Sequence, residues 1–193
     1  MSMQFEEAIS TIPLGRYRHF KGNEYEVIGI ARHSETEEPM VVYKALYGEG
    51  GFWCRPADMW NEQINKNGIT YRRFYRLDRI ERVEKYERLF DEAAASPDPE
   101  KLRLLDAYYT SGEWREDYEA DENGELPPDL KRGVLSQDAL YDLLESVKED
   151  SITDNERFLD VAQQILERHR GAFEQLAKGS DKPLLFLTTT DDA

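Results

Sequence analysis

RYRHFKGNEYEVIGIARH, residues 16–33, decides the first half of the fold. Lys21-Gly22-Asn23 is a tight-turn signal, because Gly and Asn tolerate positive φ. It separates two runs of β-formers, Arg16–Phe20 and Tyr25–His33, and so predicts a hairpin. Beyond a polar loop, Glu35–Pro39, the run Met40–Tyr47 is the strongest strand of the chain, with Val41, Val42 and Tyr43 consecutive. Gly48-Glu49-Gly50-Gly51 turns the chain into a short strand, Phe52–Arg55, stopped by Pro56, which cannot donate to a ladder. Pro56–Ile64 reads as one or two helical turns, and Tyr71–Arg76 as a closing strand. Half of the aromatics fall within residues 15–76. Several short strands in this length predict a small SH3-like β-barrel, whose closure would hide the short edges.

The second half has a helical period. Leu77, Ile80, Val83, Tyr86, Phe90 and Ala93 recur every three or four residues and predict a helix over Leu77–Ala95. Ser96-Pro97-Asp98-Pro99 breaks it. A second helix follows from Glu100 to Tyr109, and Trp114 and Tyr118 share a face of a third. Asn123-Gly124 is a turn, and Ser136 is placed to cap a helix carrying Leu140, Leu143, Leu144 and Val147. Thr153-Asp154-Asn155-Glu156 is a capping box for a last helix to about Lys178, with His169 on its apolar stripe. Leu184–Leu187 is a short apolar run suited to a docked strand or a partner-binding tail. The expected fold is therefore α+β: a small β domain, residues 1–76, then an all-helical domain, residues 77–193.

Charge divides at the same place. The chain has a net charge of -15; residues 1–76 carry ten Lys and Arg against ten Asp and Glu, so the helical part holds the whole excess. Such a surface repels nucleic acid and anionic membrane and suits solubility or a basic partner. No apolar run is long enough to span a bilayer, and MSMQFEEAIS lacks the basic start of a signal peptide, so the cytoplasm is expected. One cysteine, Cys54, excludes an internal disulfide; with no CxxC partner or catalytic dyad it is expected to be a buried thiol.

Phosphate loops, dinucleotide fingerprints, nucleophile elbows and zinc motifs are all missing. Glu119–Leu130 begins like a calcium loop but places Leu130 where a bidentate Glu belongs, so neither metal nor cofactor is expected. His19 and His33 likewise lack a third ligand. The residues suited to a ligand are Arg18, His19, Arg32, His33, Glu35 and Arg55, with Tyr43 and Trp53 as a stacking surface. Cross-strand pairing on a solvated face explains the same residues, with the aromatics as core. Arg72, Arg73, Arg76, Arg79 and Arg82 form a second basic cluster, suited to an anion or to holding the acidic helices.

Two resemblances sharpen this. Tyr17-Arg18-His19-Phe20-Lys21-Gly22-Asn23, Tyr25-Glu26-Val27, Ala31–Thr36, Val41-Val42-Tyr43, Trp53-Cys54-Arg55-Pro56 and Arg73-Phe74 together resemble the bacterial domain of unknown function sixteen-fifty-three, over about residues 15–76. Tyr108-Tyr109, Ser111–Trp114, Asp121–Gly124, Leu130–Ser136 and Leu140–Leu144 resemble the all-helical bacterial domain of unknown function forty-two-ninety-eight, over about residues 77–148. Neither resemblance implies an activity. The expected function is a bacterial, non-enzymatic binding or adaptor protein. Its β domain would take a small anionic ligand, a peptide or a nucleic acid, and its helices a protein partner or a second copy. The alternative is a small enzyme acting on a phosphorylated or nucleotide-like substrate, with His19 or His33 as acid or base beside Arg32 or Arg55.

Overall fold

The computed structural model describes residues 3–96, 98–150 and 156–171. It is α+β, with an antiparallel sheet in the N-terminal part and helices after it. The chain groups into two compact units, Met1–Glu81 with Glu122–Leu130, and Arg82–Asp121 with Lys131–Ala193.

In the first unit a short helix, α1 (Phe5–Thr11), precedes β1 (Gly15–His19), β2 (Glu24–Arg32), β3 (Pro39–Ala45) and β4 (Phe52–Pro56). The single turn α2 (Ala57–Trp60) leads to β5 (Gln63–Lys66), β6 (Ile69–Arg72) and β7 (Phe74–Arg76). The strand order is β4-β3-β2-β1-β7, with β5 and β6 forming a separate two-stranded sheet. The expected 16–33 hairpin is present: His19 N–H donates to Asn23 O at 2.8 Å, and Gly22 takes φ 97°. No ladder joins β4 to β7 among the described residues, so barrel closure is not found.

Two elements of this unit differ from expectation. α1 carries Ala8, with Ile12 just beyond its end, into the core, although residues 1–10 gave no structural signal beyond charge. Helix was expected up to Ile64, yet Ile64 lies in β5. Asn67 (φ 55°) and Gly68 (φ 80°) turn β5 into β6, the geometry of a two-residue primed hairpin turn, which this dipeptide favours.

The inner face of β3 alternates as its sequence dictates, with Val41, Tyr43 and Ala45 buried and Val42 and Lys44 less so. Trp60 stacks flat on Phe74 at 3.8 Å and meets Tyr17 and Tyr43 edge-on, giving the unit's core an aromatic cluster.

The helices are α3 (Leu77–Ala95), α4 (Pro99–Tyr109), α5 (Gly112–Glu122), α6 (Ala139–Asp150) and α7 (Glu156–Arg168), with a 3₁₀ turn at Gly133–Leu135. The Ser96–Pro99 break does more than interrupt. Asp98 caps α4, accepting from Glu100 N–H at 2.7 Å, and Pro99 fits the first helical turn. α6 begins at Ala139, later than a Ser136 cap would place it, because the 3₁₀ turn occupies 133–135.

The second unit buries acids as well as hydrophobics. Asp117 is fully buried, and Glu87 accepts the Val134 N–H at 2.7 Å. A Cβ at Gly133 would stand 3.2 Å from Glu87 Oε1, so glycine lets the 3₁₀ turn approach that carboxylate. His169 is satisfied, as expected, with Nε2 2.7 Å from Asp106 Oδ1. The capping box at 153–156 falls largely outside the described residues, and the end of the last helix beyond 171 and the run Leu184–Leu187 fall outside them entirely.

Candidate functional site

Strand pairing decides which of the expected ligand residues meet. Tyr43 pairs with Trp53 and Val41 with Arg55, so Trp53 and Arg55 extend the same sheet face as the core strand β3. Tyr43 itself is buried between Tyr25, Trp60 and Phe74 and serves as core, which removes it as a stacking surface. Trp53 is 59% exposed. The Arg55 guanidinium lies 5.8 Å from the Phe74 ring, and the His19 ring lies 5.0 Å from the same ring. His19, Arg55 and Trp53 thus gather around the Tyr43–Phe74 core edge.

Tyr25 and Tyr47 belong to this cluster and were not singled out by sequence. Their hydroxyls are 2.7 Å apart and their rings meet edge-on. The signal was the spacing Tyr43, Ala45, Tyr47, which keeps one face of a strand. Burial, with the Tyr47 hydrogen bond next, pushes the Tyr25 phenol up to about 12.

The other expected residues lie elsewhere. Arg18 points to the opposite sheet face, pairing with Glu24 at 3.2 Å. It joins His19, Lys66, Tyr75 and Asp129 around a cleft of about 250 Å³. Arg32, His33 and Glu35 stand at the far end of β2, roughly 25 Å of strand from the 19–24 turn. There Arg32 covers the Phe5 ring at 4.2 Å and pairs with Glu6, while His33 Nδ1 accepts the Glu35 and Thr36 N–H groups and fixes the turn.

The histidine chemistry follows from these contacts. His19 Nδ1 accepts the Lys21 N–H at 3.3 Å. Burial, aided by Arg73, Arg55 and Lys21, lowers its pKa to about 4, so the ring is neutral near pH 7. Cys54 was expected to be buried, but it is exposed. Its strand is the sheet edge among the described residues, and its partner Val42 lies on the less buried face of β3.

The basic cluster pairs within each unit. Arg73 pairs with Glu62, Arg76 with Asp78, Arg72 and Arg79 with Glu125, and Arg82 with Asp117. Among the described residues no group of His, Cys, Asp and Glu is arranged to hold a metal ion. No helix among them is long and apolar enough to cross a membrane.

Comparison with known families places two modules on this frame. Residues 15–76 match the family described as Protein of unknown function (DUF1653), and residues 79–160 match Domain of unknown function (DUF4298). A crystal structure of a DUF1653 protein from Bordetella bronchiseptica is 37% identical, over 34% of this chain and 87% of that one, with a TM-score of 0.32. No curated protein matches the chain.

Proposed function

We propose that the chain is a non-enzymatic bacterial binding or adaptor protein of the cytoplasm, whose β unit captures an extended peptide by adding it as a strand to β4. The observation that carries this reading is the β4 edge itself. Among the described residues β4 has one strand neighbour, and Phe52 and Trp53 on it are 68% and 59% exposed. Natural edges are usually blunted by charge, bulges or cover. Here Ala45 N–H donates to Gly51 O, so alternation pairs Tyr43 with Trp53 through their amides and turns the amides of Phe52 and Cys54 outward. Each face of the edge offers an aromatic beside a cation: Phe52 with Lys44 at 6.0 Å, and Trp53 with Arg55 two residues on. Strand addition uses such outward amides for affinity and the alternating side chains for choice. The fitting peptide alternates acidic and apolar residues.

On this reading the β unit is SH3-like in type and folds as a domain ending near residue 76. The acidic helical unit takes a protein partner or a second copy. The enzyme alternative is weakened by both histidines, whose Nδ1 atoms are engaged by backbone N–H groups. The ligand roles of Arg18, Arg32, His33 and Glu35 become structural.

The test is selection from a displayed peptide library on the full chain, followed by calorimetry and amide exchange. Acidic–apolar peptides should bind, protect the Phe52 and Cys54 amides, and lose at least about tenfold in affinity on Trp53→Ala or Arg55→Glu. Enrichment that these substitutions leave unchanged, or none, rejects the proposal.

A further inference from the structure

The cleft of about 250 Å³ in the first unit uses no residue of β4. It lies between the end of β1, the β5–β6 hairpin and the segment 122–130 that returns to this unit. Its volume is just below the ~300–1,000 Å³ of drug-sized pockets, so it suits a small ligand. Register decides what the hairpin presents. Lys66 stands opposite Ile69 and Ile64 opposite Tyr71, so Lys66 and Tyr71 share one face. The Tyr71 ring meets that of Phe20, with centroids 6.0 Å apart, and the two give the cleft an apolar wall. Asp129 enters on a turn closed by Leu130 N–H to Pro127 O at 3.1 Å, next to the buried Leu126.

The charges on this cleft have both signs. Arg18 is taken by Glu24 at 3.2 Å, and His19 is neutral near pH 7. Lys66 and Asp129 line the same cleft, yet among the described residues neither has an ion pair or a side-chain hydrogen bond. Both are exposed, so a ligand reaches them. The Asp129 charge acts on the buried Tyr75 phenol, whose pKa is raised first by burial. The cleft thus offers one ammonium, one carboxylate and an aromatic wall. An anion that meets Lys66 here also meets Asp129, and a cation that meets Asp129 also meets Lys66. Either is opposed by a like charge at short range, whereas a zwitterion is opposed by neither.

We propose that this cleft binds a small zwitterion of the α-amino-acid class, its carboxylate on Lys66, its ammonium on Asp129 and an apolar side chain against Phe20 and Tyr71. Each contact is a charge-assisted hydrogen bond, stronger than its neutral counterpart. The two opposed charges select against ligands that carry only one of the two groups.

Calorimetry on the full chain at low ionic strength tests this, with L-phenylalanine, phenylalaninamide and N-acetylphenylalanine as probes. Phenylalanine should bind saturably, and each blocked form about tenfold more weakly, as expected for the loss of one charged hydrogen bond. Lys66→Ala and Asp129→Asn, both at exposed positions, should each weaken phenylalanine about tenfold. Asp129→Asn should at the same time strengthen N-acetylphenylalanine, because it removes the like charge that opposes this anion. His19, one of three histidines, lines the cleft, so its ring signal in NMR should shift and saturate with phenylalanine. No saturable binding of phenylalanine up to ~10 mM overturns the proposal, because that limit is a free energy too small for a specific site. Binding that leaves the His19 signal unmoved lies elsewhere and overturns it too. Blocked forms as tight as phenylalanine overturn the zwitterion assignment, and so does Asp129→Asn moving both ligands in one direction. Trp53→Ala should leave this binding unchanged, which separates it from the β4 reading.

Discussion

Arg82 grips the fully buried Asp117 through two parallel hydrogen bonds, Nε to Oδ2 at 2.7 Å and Nη2 to Oδ1 at 2.6 Å. Tyr108 donates a third, at 2.9 Å to Oδ2. The pair ties α3 to α5 inside the second unit, where Tyr86 stacks flat on Tyr108 at 3.7 Å. Removing one partner strands a buried charge, so Arg82→Ala should cost about 3 kcal/mol in chemical denaturation. Replacing both with apolar residues of similar volume, Arg82→Met with Asp117→Leu, should recover part of that loss, the remainder being the Tyr108 hydroxyl left without its acceptor. A double variant no more stable than the single one would mean that the pair is not the source of the cost.

His19 sets a pH signature. Its folded pKa, about 4, lies below the ordinary 6.5, so the unfolded chain binds the proton first. The stability it contributes is complete above pH 6.5 and is lost as pH falls through about 4. An NMR titration should place its midpoint near 4, and His19→Gln should flatten the pH dependence of stability across that window. A midpoint near 6.5 would contradict the burial and cationic surroundings described for the ring.

Two tryptophans should respond oppositely. Trp60 is 1% exposed and stacked on Phe74, so Trp60→Ala should cost about 3–5 kcal/mol. Trp53 is mostly exposed, and Trp53→Ala should change stability by less than about 0.5 kcal/mol. Thermal melts of both variants decide whether Trp53 is kept for binding or for folding.

Gly68→Ala should cost about 1 kcal/mol, although a Cβ there meets nothing within 4 Å, because φ 80° strains any side chain. Asn67→Gly should be nearly neutral. Urea melts of the two variants check that the conformation of the turn, not its packing, demands glycine.

By itself the sequence determined the elements whose signals are local. The 16–33 hairpin followed from Lys21-Gly22-Asn23 between β-formers, and α3 followed from Leu77, Ile80 and Val83 at helical spacing. The divided charge and the two family resemblances were equally legible. The β5–β6 hairpin was legible too, in Asn67-Gly68, but flanks as polar as Gln63 and Lys66 hid the strand period. Only the tertiary structure decided the sites. Register placed Trp53 and Arg55 on the core face of an edge strand, and strand length separated His33 from His19. Chain return brought Glu125 to Arg72 and Arg79 across some fifty residues. Short-range stereochemistry selects turns and helices residue by residue, whereas a site depends on which distant segments bury their apolar faces together, and no local spacing records that.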